Sequence, residues 1–380
     1  MRAAALVAGT YVYFLVFAQF AFLAGVESEA IGRDWSQYVL GAMALAGFTG
    51  SVVAYVGVVR MGPVAVLRIG AIVAATAAGA AATCFGGAVS TTPMFLAGVA
   101  AAAGLGLACV TVSVASILGR LVEGGNPGLH VGVGTAIAYV VANVPWVFHA
   151  SPAVQSVFAA FVIALLVVVT AFISPATVEV SRGAKPWRRR TGSGFRRIAG
   201  ATVVFLALVW FDSAAFAAVQ QDPVLRGRFW GDASTLWANG MWHALGAIAA
   251  GWALSRGLLR VVWISSIAGL LWGAWGFWIE GAPPAAAAPI YVVSVSAYST
   301  ALAAYAALRS GGADTVGAAR SAACVYGIAG WVGSTAGIGL VLQHGGLPDW
   351  AAWVAAAVFV LGILWGWIRV EDAGETRCSA

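Results

Sequence analysis

The fold class this sequence predicts is an all-α polytopic membrane protein, with twelve transmembrane helices in two pseudo-symmetric six-helix bundles. Three observations predict it. Hydrophobic residues make up 61% of the 380 residues and charged residues only 9%, against roughly 25% charged in a soluble domain. Apolar stretches of spanning length, each about 20 residues, follow one another along the whole chain. Segments of the first half can also be laid on the second half without gaps.

The spans are 4–26, 37–58, 65–87, 93–118, 129–149, 153–174, 198–220, 234–255, 261–279, 288–309, 321–343 and 350–369. A strand barrel is excluded, because its segments are about 10 residues long and alternate polar with apolar. The first span follows a lone Arg2. It is too long for the apolar region of a signal peptide and reads as a spanning helix.

The loops give the orientation. With the N-terminus inside, 17 of the 20 Lys and Arg fall in inside positions, and only Arg33, Arg226 and Arg228 fall outside. That asymmetry predicts two cytoplasmic termini. It also accounts for the net charge of +6, so no nucleic-acid partner is needed. Cys84, Cys109 and Cys324 lie in spans and Cys378 in the inside tail. None is in an outer loop, and no structural disulfide, metal site or cofactor is expected.

The longest connection is polar, basic and rich in Gly, Pro and Ser, as a linker is. It divides the chain into a bundle at 1–174, a cytoplasmic linker at 175–197, a second bundle at 198–370 and a tail at 371–380. VFAQFAFLA (16–24) lies on WFDSAAFAA (210–218), pairing Phe17 with Phe211 and Phe22 with Phe216. GSVVAYVGVVR (50–60) lies on GAIAAGWALSR (246–256), pairing Gly50 with Gly246 and Arg60 with Arg256. Parallel repeats of six helices build the two halves of some secondary transporters.

The chain resembles the major facilitator superfamily over essentially its whole length. That superfamily carries a loop signature after helix 2, repeated after helix 8: Gly, three residues, Asp, Arg, one residue, Gly, then two basic residues. GWALSRGLLR (251–260) keeps Gly251, Arg256 and Arg260, with Ser255 and Leu258 at the Asp and second Gly positions. YVGVVRMGPV (55–64) keeps Arg60 and Gly62, with Val59 at the acidic position. The resemblance implies a gating role for these loop residues, beside their part in topology. Helix 4 lacks the intramembrane Arg of many proton-coupled members, and helix 5 lacks the Gly-Pro pattern of drug antiporters.

One carboxylate, Asp212, interrupts the seventh span. An acid within a membrane helix is costly, and so points to function, the other reading being a structural carboxylate satisfied by Asn239 or a helix-10 hydroxyl. A rise of about 1.5 Å per residue places Asp212 roughly 21 Å above the inner end of its span. The same count brings Asn239, Gln19 and Asn143 to comparable depth, with His243 one turn below Asn239. Helices 1, 5, 7 and 8 line the central cavity in the resembled fold. Gln19, Asn143, Asp212, Asn239 and His243 are therefore expected around one site for substrate and protons, with Tyr298 and its hydroxyl neighbours on helix 10. A desolvated carboxylate beside an imidazole can hold or pass a proton, and amides and hydroxyls give a solute directional hydrogen bonds. Trp230 reads as an interface anchor. Trp210, Trp242 and Trp331 lie deeper, either in packing or as stacking walls.

These readings imply a secondary transporter, not an enzyme, working by alternating access and coupled to protons through Asp212. A small-molecule solute, membrane lipids and protons are its expected partners, and a monomer is its expected state. The Ala- and Arg-rich composition points to a bacterial inner membrane. Two alternatives stand beside it. A copper or transition-metal permease would use Met241 and His243, although helix 7 carries no Met. A non-transporting scaffold or assembly factor would fit the altered loop signatures.

Overall fold

A computed structural model describes residues 1–28, 33–88, 92–122, 127–173, 193–278, 284–310 and 314–367. Residues 174–192, with most of the linker, and 368–380, with the tail and Cys378, lie outside the described residues. Every apolar run of the sequence has a helix. These are α1 (Arg2–Val26), α2 (Arg33–Met61), α3 (Pro63–Phe85), α4 (Pro93–Leu121), α5 (Pro127–Ala142) and α6 (Pro152–Ala171). The second half holds α7 (Ser193–Gln221), α8 (Ala233–Ser255), α9 (Leu259–Trp278), α10 (Pro284–Ser310), α11 (Thr315–His344) and α12 (Trp350–Trp367). Among the described residues, eight of these are long and apolar enough to cross a membrane by themselves. The helix of Asn239 and His243 is not one of the eight, and those two polar side chains are the reason.

Proline and short polar side chains start the helices. Pro63, Pro93 and Pro152 occupy first turns, where a missing N–H costs nothing. Thr92 accepts from the Phe95 amide at 3.2 Å and Asp314 from the Gly317 amide at 2.8 Å. Asp232 caps α8 through the Thr235 amide at 2.7 Å. Hydrogen bonds from Thr235 and Ser234 hold its carboxyl down at about 2. This cap is therefore complete above the ordinary carboxylate range and is lost only as pH falls through about 2.

The packing repeats between the halves. In the first, α1 lies on α5 and α6, and α4 takes α2 and α3; in the second, α7 lies on α11 and α12, and α10 takes α8 and α9. The halves meet along α5 with α8 and α2 with α11. Consecutive helices run in opposite directions, so Arg60, Arg120, Arg256, Arg260, Arg309 and Arg320 share one end of the molecule, here the basic end.

At the basic end the halves touch closely. A Cβ on Gly251 of α8 would stand 2.7 Å from the Gly128 carbonyl oxygen and 3.0 Å from the Gly132 Cα of α5. Across the interface, Ala54 and Val58 of α2 pack with Ala318, Ala319 and Ala322 of α11. Small residues thus close this end by backbone approach. A Cβ on Gly62, in contrast, would meet nothing within 4 Å. Gly62 has φ of 85° in the turn between α2 and α3, a position that favours glycine. The matching turn after α8 puts its positive φ, 76°, at Gly257. Arg256 lies over the Trp252 ring of its own helix at 4.9 Å.

The fifth span departs from its expected form. It breaks at Asn143 and Val144, and a single turn, Pro145–Phe148, completes it. Pro145 cannot donate into the helical ladder. Buried Gln155 of α6 satisfies the carbonyls at the end of that turn, donating to Val147 at 2.9 Å and Phe148 at 3.0 Å. Gln155→Leu is expected to remove both bonds and to destabilise the fold by about 1–3 kcal/mol, read as a lower melting temperature.

Candidate functional site

A cavity of about 320 Å³ lies between the halves. It is walled by α1, α5, α7, α8, α10 and α11, with the outer parts of α2 and the middle of α4. Two of its walls are π-helical, Tyr13–Ala21 in α1 and Tyr326–Gly333 in α11. Such turns re-aim side chains and recur at functional sites. The cavity extends to Gln37 at the start of α2 and Gln343 at the end of α11, away from the basic end.

Asp212 lines this cavity and is otherwise buried. Both its carboxylate oxygens accept from α10. Tyr291 Oη donates to Oδ1 at 2.5 Å, and Tyr298 Oη donates to Oδ2. The two tyrosines are seven residues apart, which is two turns and one helix face. Below them, His243 of α8 stacks on Tyr139 of α5, with ring centroids 4.0 Å apart and planes 6° from parallel. His243 Nδ1 lies 2.5 Å from Ser296 Oγ, and Tyr139 Oη lies 3.1 Å from Ser299 Oγ. Tyr11 of α1 donates to the Ser299 carbonyl at 2.9 Å. Helix α10 is thus the hub. It holds Asp212 within its own half and, through Ser299, ties to α1 and α5 of the other.

Most of the residues expected at the site from sequence meet here. Gln19, Asn143, Asp212, His243 and Tyr298 all line the cavity. Gln19 also offers its carbonyl to Gln220 Nε2 at 3.5 Å, and Asn143 donates its amide to the Tyr139 carbonyl at 2.9 Å. Asn239 does not join them. Its amide donates to the Phe229 carbonyl at 2.5 Å, pinning the outer loop helix Pro223–Trp230 onto α8. Asn239→Ala is expected to lower the melting temperature by the equivalent of about 1–3 kcal/mol while leaving solute affinity unchanged. Met241, the proposed sulfur partner of His243, is 60% exposed and does not line the cavity.

Several cavity residues were not anticipated. Tyr291 had a signal, its two-turn spacing from Tyr298. Tyr11 and Tyr139 had none, because single tyrosines in apolar helices look alike from sequence. Trp230 is placed differently from its sequence reading. It walls the cavity near the end opposite the basic one on the side of α1, α5 and α7, with Phe20 at 6.5 Å, Phe148 at 5.8 Å and Phe216 at 5.4 Å between ring centroids. Trp331 is a wall residue, whereas Trp242 is 41% exposed on the outside.

No family model and no curated protein matches the sequence. Solved structures do match. The E. coli fucose:proton symporter FucP superposes with a TM-score of 0.68 at 13% identity, covering 97% of each chain. The chain has the major facilitator superfamily fold. The proton:xylose symporter XylE, bound to 6-bromo-6-deoxy-D-glucose, matches with a TM-score of 0.60 at 12% identity over 97% of this chain and 95% of that one. The human organic anion transporter MFSD10 matches with a TM-score of 0.58 at 14% identity over 96% and 97%. A major facilitator fold makes this a multi-pass membrane protein, and its cavity between halves is where Asp212 stands.

Proposed function

We propose that the protein is a secondary transporter that moves a small solute by alternating access, coupled to protons through Asp212. One observation carries the reading. The carboxylate of this cavity sits between halves that touch closely at one end and enclose a space towards the other. The fold it shares with two proton symporters and an organic anion transporter supports the same reading.

In this account the basic end, with both termini, is cytoplasmic. The state described is then shut towards the cytoplasm and reaches outward between α2 and α11. Rocking of the halves parts the contact of Gly251 with Gly128 and Gly132 and brings the outer helix ends together. Protonation of Asp212 changes what Tyr291 and Tyr298 can donate to. Because α10 also contacts α1 and α5 through Ser299, that local change reaches the interface between halves. Gln19, Asn143 and His243 contact the solute, and Arg60, Gly62, Arg256 and Arg260 shape the loops that move.

The test uses purified protein in liposomes with a pH-sensitive dye inside. Sugars, amines, amino acids and organic acids are added in turn. One solute class is expected to move protons across the membrane, and Asp212→Asn to remove the response. Proton movement at the wild-type rate in Asp212→Asn would end the coupling role. Solute movement in wild type with no proton flux would end coupling altogether.

A further inference from the structure

The geometry points to a small organic cation as the solute: a protonated amine on an apolar body, whose ammonium group replaces the proton at Asp212. The inference rests on the transporter reading and narrows it to one substrate class.

Charge is the first argument. Among the described residues, Asp212 is the only acidic one that lines the cavity, and no Lys or Arg does. A carboxylate enclosed by protein needs a counter-charge or a proton. Within these walls it can take a proton or a cationic guest, one excluding the other. An organic anion or a phosphate would meet no positive charge from lysine or arginine.

Hydrogen-bond polarity is the second. The tyrosine hydroxyls beside Asp212 and several neighbouring donors are engaged within the protein. Tyr291 and Tyr298 donate to Asp212 itself, Tyr11 donates to the Ser299 carbonyl, and Asn143 donates to the Tyr139 carbonyl. Ser213 donates to Ser334 at 3.0 Å, and Thr10 and Thr111 to carbonyls one turn back. What these groups still offer a guest is lone pairs, which suit an N–H donor. A sugar would draw its donors from other lining groups, such as Gln19, Gln37 and Gln343.

The remaining wall supplies ring faces. Tyr139, Tyr291, Tyr298, Phe216 and Trp331 line the cavity. Aromatic faces attract ammonium groups most strongly where water is excluded. A space of about 320 Å³ matches a guest of small-drug size. The approach has the same sign. Among the described connections at the mouth end, Asp222, Asp232 and Asp349 stand against Arg226 and Arg228. That small excess of acid favours the approach of cations.

Binding then follows a simple exchange. The ammonium enters, the carboxyl proton leaves to water, and total charge in the cavity is unchanged. The titratable groups facing the cavity beside Asp212 are Tyr11, Tyr139, Tyr291, Tyr298 and Tyr326 and the imidazole of His243. His243 is held by Ser296 and stacks on Tyr139, and a His243→Gln series separates any contribution of its own from that of Asp212.

The test is binding to the full-length protein in lipid nanodiscs, using probes with one shared body: phenethylammonium, phenethyl alcohol and phenylacetate, with propranolol as a larger amine and D-xylose as a sugar. The amines are expected to raise the melting temperature and to release protons into weak buffer. Their affinity should fall with pH by up to about tenfold per unit. Asp212→Asn is expected to weaken amine binding by about tenfold or more. Should that variant misfold, the pH series on wild type carries the test alone, and His243→Gln shows which group sets it. Stabilisation by phenylacetate or D-xylose with none by the amines would overturn the inference, as would amine binding that ignores pH. Transport of xylose or phenylacetate would overturn the cation class and keep the transporter reading. Amines that bind with proton release yet never cross a liposome membrane would keep the site and overturn transport.

Discussion

Asp212→Asn is expected to abolish proton-coupled solute movement while the protein still folds. Asparagine keeps the volume and shape of the side chain. Its carbonyl can accept from one of the tyrosines that now flank Asp212, and its amide can donate to the oxygen of the other. What asparagine cannot do is exchange a proton. Coupled uptake should fall at least about tenfold, as the loss of one strong charge-dependent contact implies. The melting temperature should move little, by the equivalent of about 1 kcal/mol. Uptake driven by a pH gradient in liposomes and a melting curve on the same preparation check both halves. A well-folded variant with full coupled uptake rules out Asp212 as the proton carrier. Collapse of the fold would make the carboxylate structural.

Gly251→Val is the second large effect. Its two methyl groups would be driven into the Gly128 carbonyl and the Gly132 backbone, where even one Cβ stands 2.7 Å and 3.0 Å away. Helices do not deform to absorb such an overlap cheaply, and overpacking costs typically about 1–3 kcal/mol. Relief comes from parting α5 and α8 at the basic end, which is the movement transport requires. The variant should therefore favour the state open at that end, with transport slowed and the Leu129–Leu258 separation increased. Gly132→Val attacks the same contact from α5. Combining the two should cost less than the sum of the single effects, since they share one contact. A Gly251→Val protein with unchanged separation and wild-type transport would show that the basic end does not need this close approach.

Much of the architecture was legible because it is written in bulk properties. Apolar run length, the placement of arginine and the Phe17/Phe211 and Gly50/Gly246 pairings each follow from the membrane and from duplication. Asp212 was legible for the same reason, since a lone acid in an apolar span has few innocent explanations. The depth count placed Gln19, Asn143 and His243 correctly on the cavity because helix rise is constant. It failed for Asn239, because depth does not say which way a side chain turns. A carbonyl of the neighbouring loop helix, Phe229, claims that amide. The break at Asn143–Val144 was hidden because Pro145 lay inside an otherwise continuous apolar run. The tyrosine clamp on Asp212 is only half legible, since the hydroxyl cluster of helix 10 includes Tyr298 and stops short of Tyr291. Trp230 was misplaced because an aromatic at a helix end looks the same whether it meets lipid or walls a cavity.

The central claim is that the two halves rock about Asp212. The most direct measurement is a pair of spin-label distances in lipid nanodiscs, on a cysteine-free background. One pair, at Gln37 and Gln343, spans the cavity mouth between α2 and α11. The other, at Leu129 and Leu258, spans the basic end between α5 and α8. The account predicts reciprocal populations: when pH is lowered or Asp212→Asn is introduced, one distance lengthens as the other shortens. Two distances that stay single and fixed through every pH, ligand and variant would contradict it, and would describe a static scaffold.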